Sequence, residues 1–294
     1  MRFQLSYLAD LLAGGLAIGI IKAFKLLPFG QRRRLFGWVF ASVVAPALGF
    51  HRRIGKNLRF VCPEIGADMQ KKLVKSTTRN IGQTIIELFS PKDIVALAQR
   101  IEIEGPGLAV LQKAQKDGRS VICVSGHFGN YDVARAALIG QGFYLGALYR
   151  RLNNKTFHRY YFKNITATGT PMFERGRPGL TQMIRHIKNG DPLAMLIDQH
   201  MDDGAPLQFF GQTAYTALSA AEMALKYDAE LVPFYAIRTA EGAGFRIILE
   251  APIERGSAEV MTQALNDSLE IRVRENMDQW LWSHRRWKIS RKNL

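Results

Sequence analysis

The chain has 294 residues, of which 47% are hydrophobic, so it is long enough to bury the full core of one α/β domain of ordinary size. Its formal net charge of +15 at pH 7 indicates a polyanionic partner, and nucleic acid, an anionic membrane surface, phosphorylated lipids and an acidic carrier protein all meet that description. Only two cysteines occur, Cys62 and Cys123, which argues against a disulfide framework and favours a reducing cytosol.

The first predicted element is an apolar segment, Leu5 to Leu27, of about the length that spans a bilayer. Three bases, Arg32 to Arg34, follow it, and the positive-inside rule predicts that they keep the rest of the chain cytoplasmic. A cleaved signal peptide is disfavoured, because Pro28 to Gly30 leads to basic residues instead of a cleavage site. We therefore expect residues 1–34 to form an N-terminal membrane-anchoring helix. An amphipathic or buried helix is the alternative.

Residues 35–100 are predicted to be interfacial and helical, and to fold as one unit with the rest of the chain. The apolar stretch Leu35 to Phe50 is too short for a comfortable span and is interrupted by Pro46, so we expect it to lie in the membrane interface. A basic group follows, which would face lipid headgroups or form a solvated face: His51, Arg52, Arg53, Lys56 and Arg59. Asp68 to Phe89 then predicts a helix, because apolar residues recur along it at helical spacing.

From Ile101 onward, strands and helices alternate, which predicts a mainly parallel central sheet flanked by helices over residues 101–294. The predicted strands are Ile101 to Glu104, Val121 to Ser125, Phe143 to Tyr149, Thr170 to Phe173, Leu193 to Ile197, Leu231 to Ile237 and Phe245 to Leu249. The predicted helices are Pro106 to Lys116, Tyr131 to Leu138, Asn153 to Asn164, Ala217 to Tyr227 and Ala258 to Trp280. Val121 to Ser125 has no polar alternation, which is typical of a strand buried on both faces.

The turn after that strand, Gly126 to Asn130, contains two glycines and leads into a predicted helix. His127 is therefore predicted at a strand-to-helix turn, where open α/β sheets bind ligands. Asp132 follows five residues later, so a contact between the two side chains requires His127 to lie in the turn before the helix. An aspartate on the imidazole would fix its tautomer and leave the other nitrogen free to accept a proton from a hydroxyl. A satisfied turn histidine is the alternative.

Two later segments permit more than one interpretation. Asp198, His200, Asp202 and Asp203 follow a predicted strand, and such a group suggests a metal site. A loop at the carboxyl end of a strand, beside the active centre, explains the group without a metal, and we predict none. The C-terminal segment mixes tryptophans with cations, which suits a membrane interface or single-stranded nucleic acid. Its residues are Trp280, Trp282, Arg285, Arg286, Trp287, Lys288, Arg291 and Lys292.

Residues 127–132, His-Phe-Gly-Asn-Tyr-Asp, resemble the His-x4-Asp/Glu motif of the lysophospholipid acyltransferase superfamily, specifically the bacterial lipid A late (secondary) acyltransferases. Further segments resemble the same family in the same order over nearly the whole chain: Arg52 to Pro63, Phe173 to Gly176, Leu196 to His200, Phe209 to Thr216 and Trp280 to Lys288. Members closest to lipid A synthesis often carry Glu where this chain has Asp132.

The resemblance implies an acyltransferase at the cytoplasmic side of the bacterial inner membrane, in contact with its anionic lipids. It would move a fatty acyl chain from acyl carrier protein to a hydroxyl of a lipid A precursor, with no bound cofactor and no metal. Alternative acceptors are a lysophospholipid or an ornithine-type lipid. Outside the enzyme class, a basic nucleic-acid-binding protein would explain the charge but not the apolar segment Leu5 to Leu27, so we expect no nucleic-acid partner.

The resemblance also implies roles for individual residues. His127 would deprotonate the acceptor hydroxyl, and Asp132 would orient the imidazole. Substrate phosphate would be bound by arginines, whose planar fork suits phosphate oxygens. The candidates are Arg175, which matches the family motif, with Arg150 and Arg177. Donors in the turn, at Gly129 and Asn130, or alternatively Arg175, would stabilise the tetrahedral oxyanion.

Overall fold

The computed structural model describes residues 2–239 and 244–288, with side chains from Asp10 onward. The helices are α1 (Arg2–Phe24), α2 (Phe29–Val39), α3 (Ala45–Ala47), α4 (Phe50–Val61), α5 (Ala67–Leu88), α6 (Pro91–Ala98), α7 (Gly107–Lys116), α8 (Tyr131–Gly140), α9 (Lys155–Thr168), α10 (Arg177–Lys188), α11 (Ser219–Lys226) and α12 (Ala258–Glu275), with a π-helical stretch at Phe40–Val44 and a 3₁₀ turn at Met277–Gln279. The strands are β1 (Ile103–Glu104), β2 (Val121–Ser125), β3 (Gly146–Tyr149), β4 (Met172–Glu174), β5 (Leu193–Leu196), β6 (Ala205–Phe209), β7 (Gln212–Thr216), β8 (Glu230–Arg238) and β9 (Phe245–Leu249).

The described residues form a seven-stranded sheet in the order β1-β9-β8-β2-β5-β3-β4, and a separate hairpin, β6-β7. Every neighbouring pair of the larger sheet is parallel except β8 and β9. The prediction of a mainly parallel central sheet flanked by helices is therefore confirmed. The hairpin and the antiparallel pair differ from it, because strand pairing is decided by contacts that local alternation does not report.

The central strand β2 lies between two apolar layers. Val121 and Cys123 pack with residues of α6, α7 and α8 on one face of the sheet. Ile122 and Val124 pack with residues of α10, α11 and α12 on the other. All five residues of the strand are buried, as expected for a parallel strand with helices over both faces. This strand ends at the turn that carries His127.

Two tryptophans of the C-terminal segment lie in the core, and the third, Trp287, packs against it and is partly buried. Trp280 and Trp282 are 1% and 0% exposed, and they pack against Phe209 and Phe210. A membrane interface is therefore the wrong interpretation for Trp280 and Trp282, because protein covers their rings. The segment is also not helical up to Trp280, since α12 ends at Glu275. The last bases predicted for this segment, at 291 and 292, lie outside the described residues.

The predicted anchor region contains two helices, because the chain turns between α1 and α2. α1 packs along α9, and α2 packs along α5. Among the described residues, none of the helices alone combines the length and apolar composition needed to cross a bilayer. Two consecutive stretches, Phe29–Ala47 and Phe50–Val61, meet that requirement together, but they are bent by 85°. The membrane-anchoring role of residues 1–34 stays a prediction.

Candidate active site

The register of two strands brings His127 and Asp198 side by side. β2 and β5 are parallel neighbours in which Ser125 pairs with Leu196, and each of the two residues follows its paired position by two. Nδ1 of His127 lies 2.8 Å from Oδ1 of Asp198, and the backbone N–H of His127 donates to Oδ2 at 2.8 Å. One carboxylate thus holds both the ring and the backbone of the histidine.

A third donor completes the environment of Asp198. The indole Nε1–H of Trp280 donates to Oδ2 at 2.8 Å, and the carboxylate is 2% exposed. Burial alone would raise the pKa of Asp198, but the charge and hydrogen bonds of His127, together with the Trp280 bond, lower this pKa to about 2. A carboxylate on Nδ1 favours the tautomer with its proton there, which leaves Nε2 as the free acceptor.

The turn that carries His127 is fixed by its backbone. Gly129 has a φ of +54°, and a Cβ at this position would collide with the carbonyl of Ala236. The backbone N–H of Gly129 donates to the carbonyl of Gln279 at 2.9 Å, and that of Asn130 donates to the carbonyl of Ala236 at 3.2 Å. Leu281 N–H donates to the carbonyl of His127 at 3.1 Å. Hydrogen bonds to the C-terminal segment thus hold the turn in place on one side.

Asn130 links the turn to buried charges. Its Oδ1 accepts from the backbone N–H of Asp132 at 3.1 Å and so caps α8, and its Nδ2 donates to Glu87 at 2.7 Å. Glu87 is fully buried on α5 and accepts from both terminal nitrogens of Arg238, at 2.6 and 2.8 Å. Nη1 of Arg33, on α2, lies 3.4 Å from the same carboxylate. We call Arg33, Glu87, Asn130 and Arg238 the Glu87 network.

Two cavities meet at His127. The larger one, of about 490 Å³, combines polar and apolar walls, and it includes Arg150, Arg175 and Gln199. Nε2 of Gln199 lies 3.5 Å from Nε2 of His127. The smaller cavity, of about 130 Å³, lies between α5 and the C-terminal segment and is lined mainly by apolar side chains such as Ile81. His127 therefore forms part of the wall of both cavities.

The comparison with known families decides the class of this site. The family model for bacterial lipid A biosynthesis acyltransferase matches residues 3–289, nearly the whole chain. The chain belongs to this family. The resemblance predicted from the sequence is thus confirmed, and the site is the candidate centre of an acyltransferase.

Three curated relatives have related names at low identity. The lipid A biosynthesis acyltransferase of Haemophilus influenzae is 21% identical over 93% of this chain and 89% of its own. The lipid A biosynthesis palmitoleoyltransferase of Escherichia coli is 24% identical over 79% and 77%. The phosphatidylinositol mannoside acyltransferase of Mycobacterium tuberculosis is 21% identical over 81% and 78%. Relatives of this chain thus include acyltransferases named for different glycolipids.

The carboxylate that contacts His127 in this acyltransferase is not the predicted one. Asp132 lies in the first turn of α8 and pairs with Nε of Arg135 at 2.9 Å. Arg135 in turn donates to the carbonyls of Ile165 and Gly169, at 2.8 and 3.0 Å. The helix thus turns Asp132 towards α9, whereas Asp198 reaches the ring from the neighbouring strand. The orienting contact predicted for Asp132 is corrected to Asp198, and Asp132 remains in the wall of the larger cavity.

The other predicted site residues divide into two groups. Arg150 and Arg175 are exposed and line the cavity with His127, whereas Arg177 begins α10 and is not part of that wall. The backbone amides of Gly129 and Asn130 already donate within the protein, so the predicted oxyanion donors of the turn are engaged in this structure. Within the described ranges, no three His, Cys, Asp or Glu side chains form a group that could hold a metal.

Sequence reasoning missed the contacts of Asp198 and Trp280. The sequence did put Asp198 directly after a buried strand, beside the expected active centre. Its contact with His127 would have followed from placing β5 next to β2, which strand order along the chain does not reveal. Trp280 gave no local signal, because its role depends on the path of the chain after α12.

Proposed function

We propose that this acyltransferase moves a fatty acyl chain from the thioester of acyl carrier protein to a hydroxyl of a lipid A precursor. The observation that carries the proposal is the His127–Asp198 pair, which opens on a cavity lined by Arg150 and Arg175 in a chain of the lipid A acyltransferase family. Two relatives named for lipid A biosynthesis support the choice of acceptor.

The reaction needs one base and no bound cofactor. Nε2 of His127 takes the proton of the acceptor hydroxyl as its oxygen attacks the thioester carbonyl. The C–S bond then breaks, and the imidazolium returns the proton to the departing thiolate. Asp198 accepts the hydrogen bond from Nδ1–H of His127 and stabilises the imidazolium between these steps. The negative charge of the buried Asp198 carboxylate thus stabilises the His127 ring while the ring is positively charged.

The tetrahedral oxyanion requires a donor that is not already engaged. The turn amides donate elsewhere, so we assign this role to the side-chain amide of Gln199, which has a second N–H group besides the one that can face Nε2 of His127. Arg150 and Arg175 bind the acceptor phosphate in the larger cavity, and the smaller apolar cavity takes part of the acyl chain. The charge of +15 favours approach of an acidic carrier protein and of anionic lipids.

We place the protein at the cytoplasmic face of a bacterial inner membrane. This proposal is supported by large apolar side chains that are exposed on the N-terminal helices and the stretch that joins them: Leu12, Leu16, Leu26, Val43 and Leu48. Membrane fractionation tests it. Recovery of the full chain in the soluble fraction without detergent would refute the location.

The function is tested by acyl transfer from labelled acyl carrier protein to a tetra-acylated lipid A precursor, with detergent-solubilised full chain. Transfer should be lost in His127→Ala, and it should persist in Arg185→Gln, a control on an exposed face of α10. Transfer that survives in His127→Ala would refute the mechanism. A parent that acylates a lysophospholipid or an ornithine-type lipid instead would refute the acceptor and retain the mechanism.

A further inference from the structure

The Glu87 network contains more positive than negative charge. It joins two guanidinium groups, Arg33 and Arg238, to one carboxylate that is fully buried. Arg238 occupies both oxygens of Glu87 with short hydrogen bonds. Arg33 is 4% exposed, and its Nε and Nη1 donate no hydrogen bond to any described residue. One buried positive charge therefore lacks a full partner, which is costly in a protein interior.

A third cavity, of about 290 Å³, opens beside this charge. It lies between the first two turns of α2 and the helix α6, and it shares no residue with the larger cavity at His127. Three of its lining residues are arginines: Arg33, Arg34 and Arg100. The carboxylate among its lining residues, Asp93, already accepts from Nη1 of Arg32 at 3.0 Å. The cavity is thus strongly positive, and its acidic neighbour is engaged elsewhere.

The groups around Arg33 do not neutralise its positive charge. The ring of Phe29 lies 5.0 Å from the Arg33 guanidinium and offers only a cation–π contact. Burial is the largest effect on the pKa of Arg33 and lowers it, while Glu87 raises it and Arg238 and Arg34 lower it further. These contacts stabilise a cation less than an anion in direct contact would.

We propose that this cavity is a phosphate-binding site, in which Arg33, Arg34 and Arg100 hold one phosphate group. Guanidinium groups suit this ligand, because their paired N–H groups meet phosphate oxygens in bidentate geometry and remain charged. The phosphate belongs to a phospholipid headgroup or is free phosphate. A lipid source agrees with the exposed apolar side chains of Leu35 and Trp38 farther along α2. The site does not depend on the proposed reaction.

The experiment uses the full chain in detergent and two double variants of equal charge. Arg34→Gln/Arg100→Gln removes two exposed arginines of the cavity, and it avoids Arg33, whose loss could prevent folding. Lys113→Gln/Arg185→Gln removes two exposed bases on α7 and α10 as the matched control. The thermal unfolding midpoint is measured against inorganic phosphate in one series and against short-chain dihexanoyl phosphatidic acid in the other.

The parent and the control variant should both be stabilised, by about 3 °C at a ligand concentration ten times the dissociation constant. The cavity variant should bind at least about tenfold more weakly. A shift with inorganic phosphate identifies free phosphate as sufficient, and a shift with phosphatidic acid alone identifies a lipid headgroup. The proposal is overturned if neither ligand stabilises the parent, or if the two variants respond alike to both ligands.

Discussion

Replacing Asp198 with asparagine changes one atom but should invert the tautomer of His127. In the parent, Oδ2 accepts from two N–H groups, those of the His127 backbone and the Trp280 indole, and Oδ1 faces Nδ1. The asparagine oxygen must stay with the two N–H donors, because an amino group there would meet both of them. Its amino group then faces Nδ1, so the imidazole must accept at Nδ1 and carry its proton on Nε2.

The tautomer should dominate the loss of rate. The lowering of the Asp198 pKa from 3.8 to about 2 is the net effect of burial, His127 and Trp280, and it corresponds to about 2 kcal/mol. The same exchange in a Ser-His-Asp site lowers kcat by about 10⁴, which corresponds to about 5.5 kcal/mol. The larger loss is expected of a base whose reactive nitrogen is already protonated. We therefore expect single-turnover acyl transfer to fall by about 10³ to 10⁴ in Asp198→Asn.

Asp132→Asn is the matched control, because it makes the same exchange in the wall of the same cavity. Nitrogen NMR of the His127 ring should show the proton on Nδ1 in the parent and in Asp132→Asn, and on Nε2 in Asp198→Asn. Loss of transfer in Asp132→Asn would then reflect its pairing with Arg135 and not the base. A tautomer that changes in Asp132→Asn and not in Asp198→Asn would contradict the assignment.

Three further results are expected. Burial is the main cause that lowers the pKa of His284 to about 4, so on acidification the unfolded chain takes up a proton at this residue before the folded chain does. The free energy of unfolding, measured by urea titration, should therefore fall by at most about 3 kcal/mol between pH 6.5 and pH 4. His284→Asn should make this fall smaller. Glu87→Gln leaves Arg238 without its carboxylate and should destabilise the chain by about 3 kcal/mol in the same titration; an unchanged midpoint would contradict the buried pairing. Gly129→Ala should lower the thermal midpoint by several degrees and reduce transfer, because its Cβ meets the Ala236 carbonyl at a positive φ; parent-like melting would show that the turn can relax.

Local sequence patterns predicted the bounds of helices and strands better than they predicted which strands pair with each other. β2 and β9 have the predicted bounds, and α5 (Ala67–Leu88) differs by one residue at each end, because continuous or periodic burial is a property of a short window. The β6-β7 hairpin and the antiparallel direction of β9 depend on contacts between distant segments. The tryptophans were misassigned for a similar reason, since the same composition suits a membrane interface and an aromatic core.

For the candidate site, too, the sequence predicted local features but not contacts between distant segments. His127 was placed correctly in its turn, because a buried strand, two glycines and a helix follow one another directly. The identity of its carboxylate was not, because Asp132 is near in sequence and Asp198 is near in space. Only the register of Ser125 with Leu196 brings His127 and Asp198 together. Arg150 and Arg175 line the cavity with His127, since both follow strands at the same edge of the sheet, and their binding of substrate phosphate stays a prediction.

The bond from Trp280 to Asp198 also bears on the order in which this protein is made. The two residues are 82 positions apart, so the ribosome needs about 4 to 16 s to synthesise the chain between them. During that interval His127 and Asp198 can already meet, but the indole that covers the carboxylate has not emerged. The nascent chain therefore passes through a stage in which its sheet can form and the His127–Asp198 pair is open to water on one side. Acyl transfer should begin only after the segment around Trp280 has closed that side.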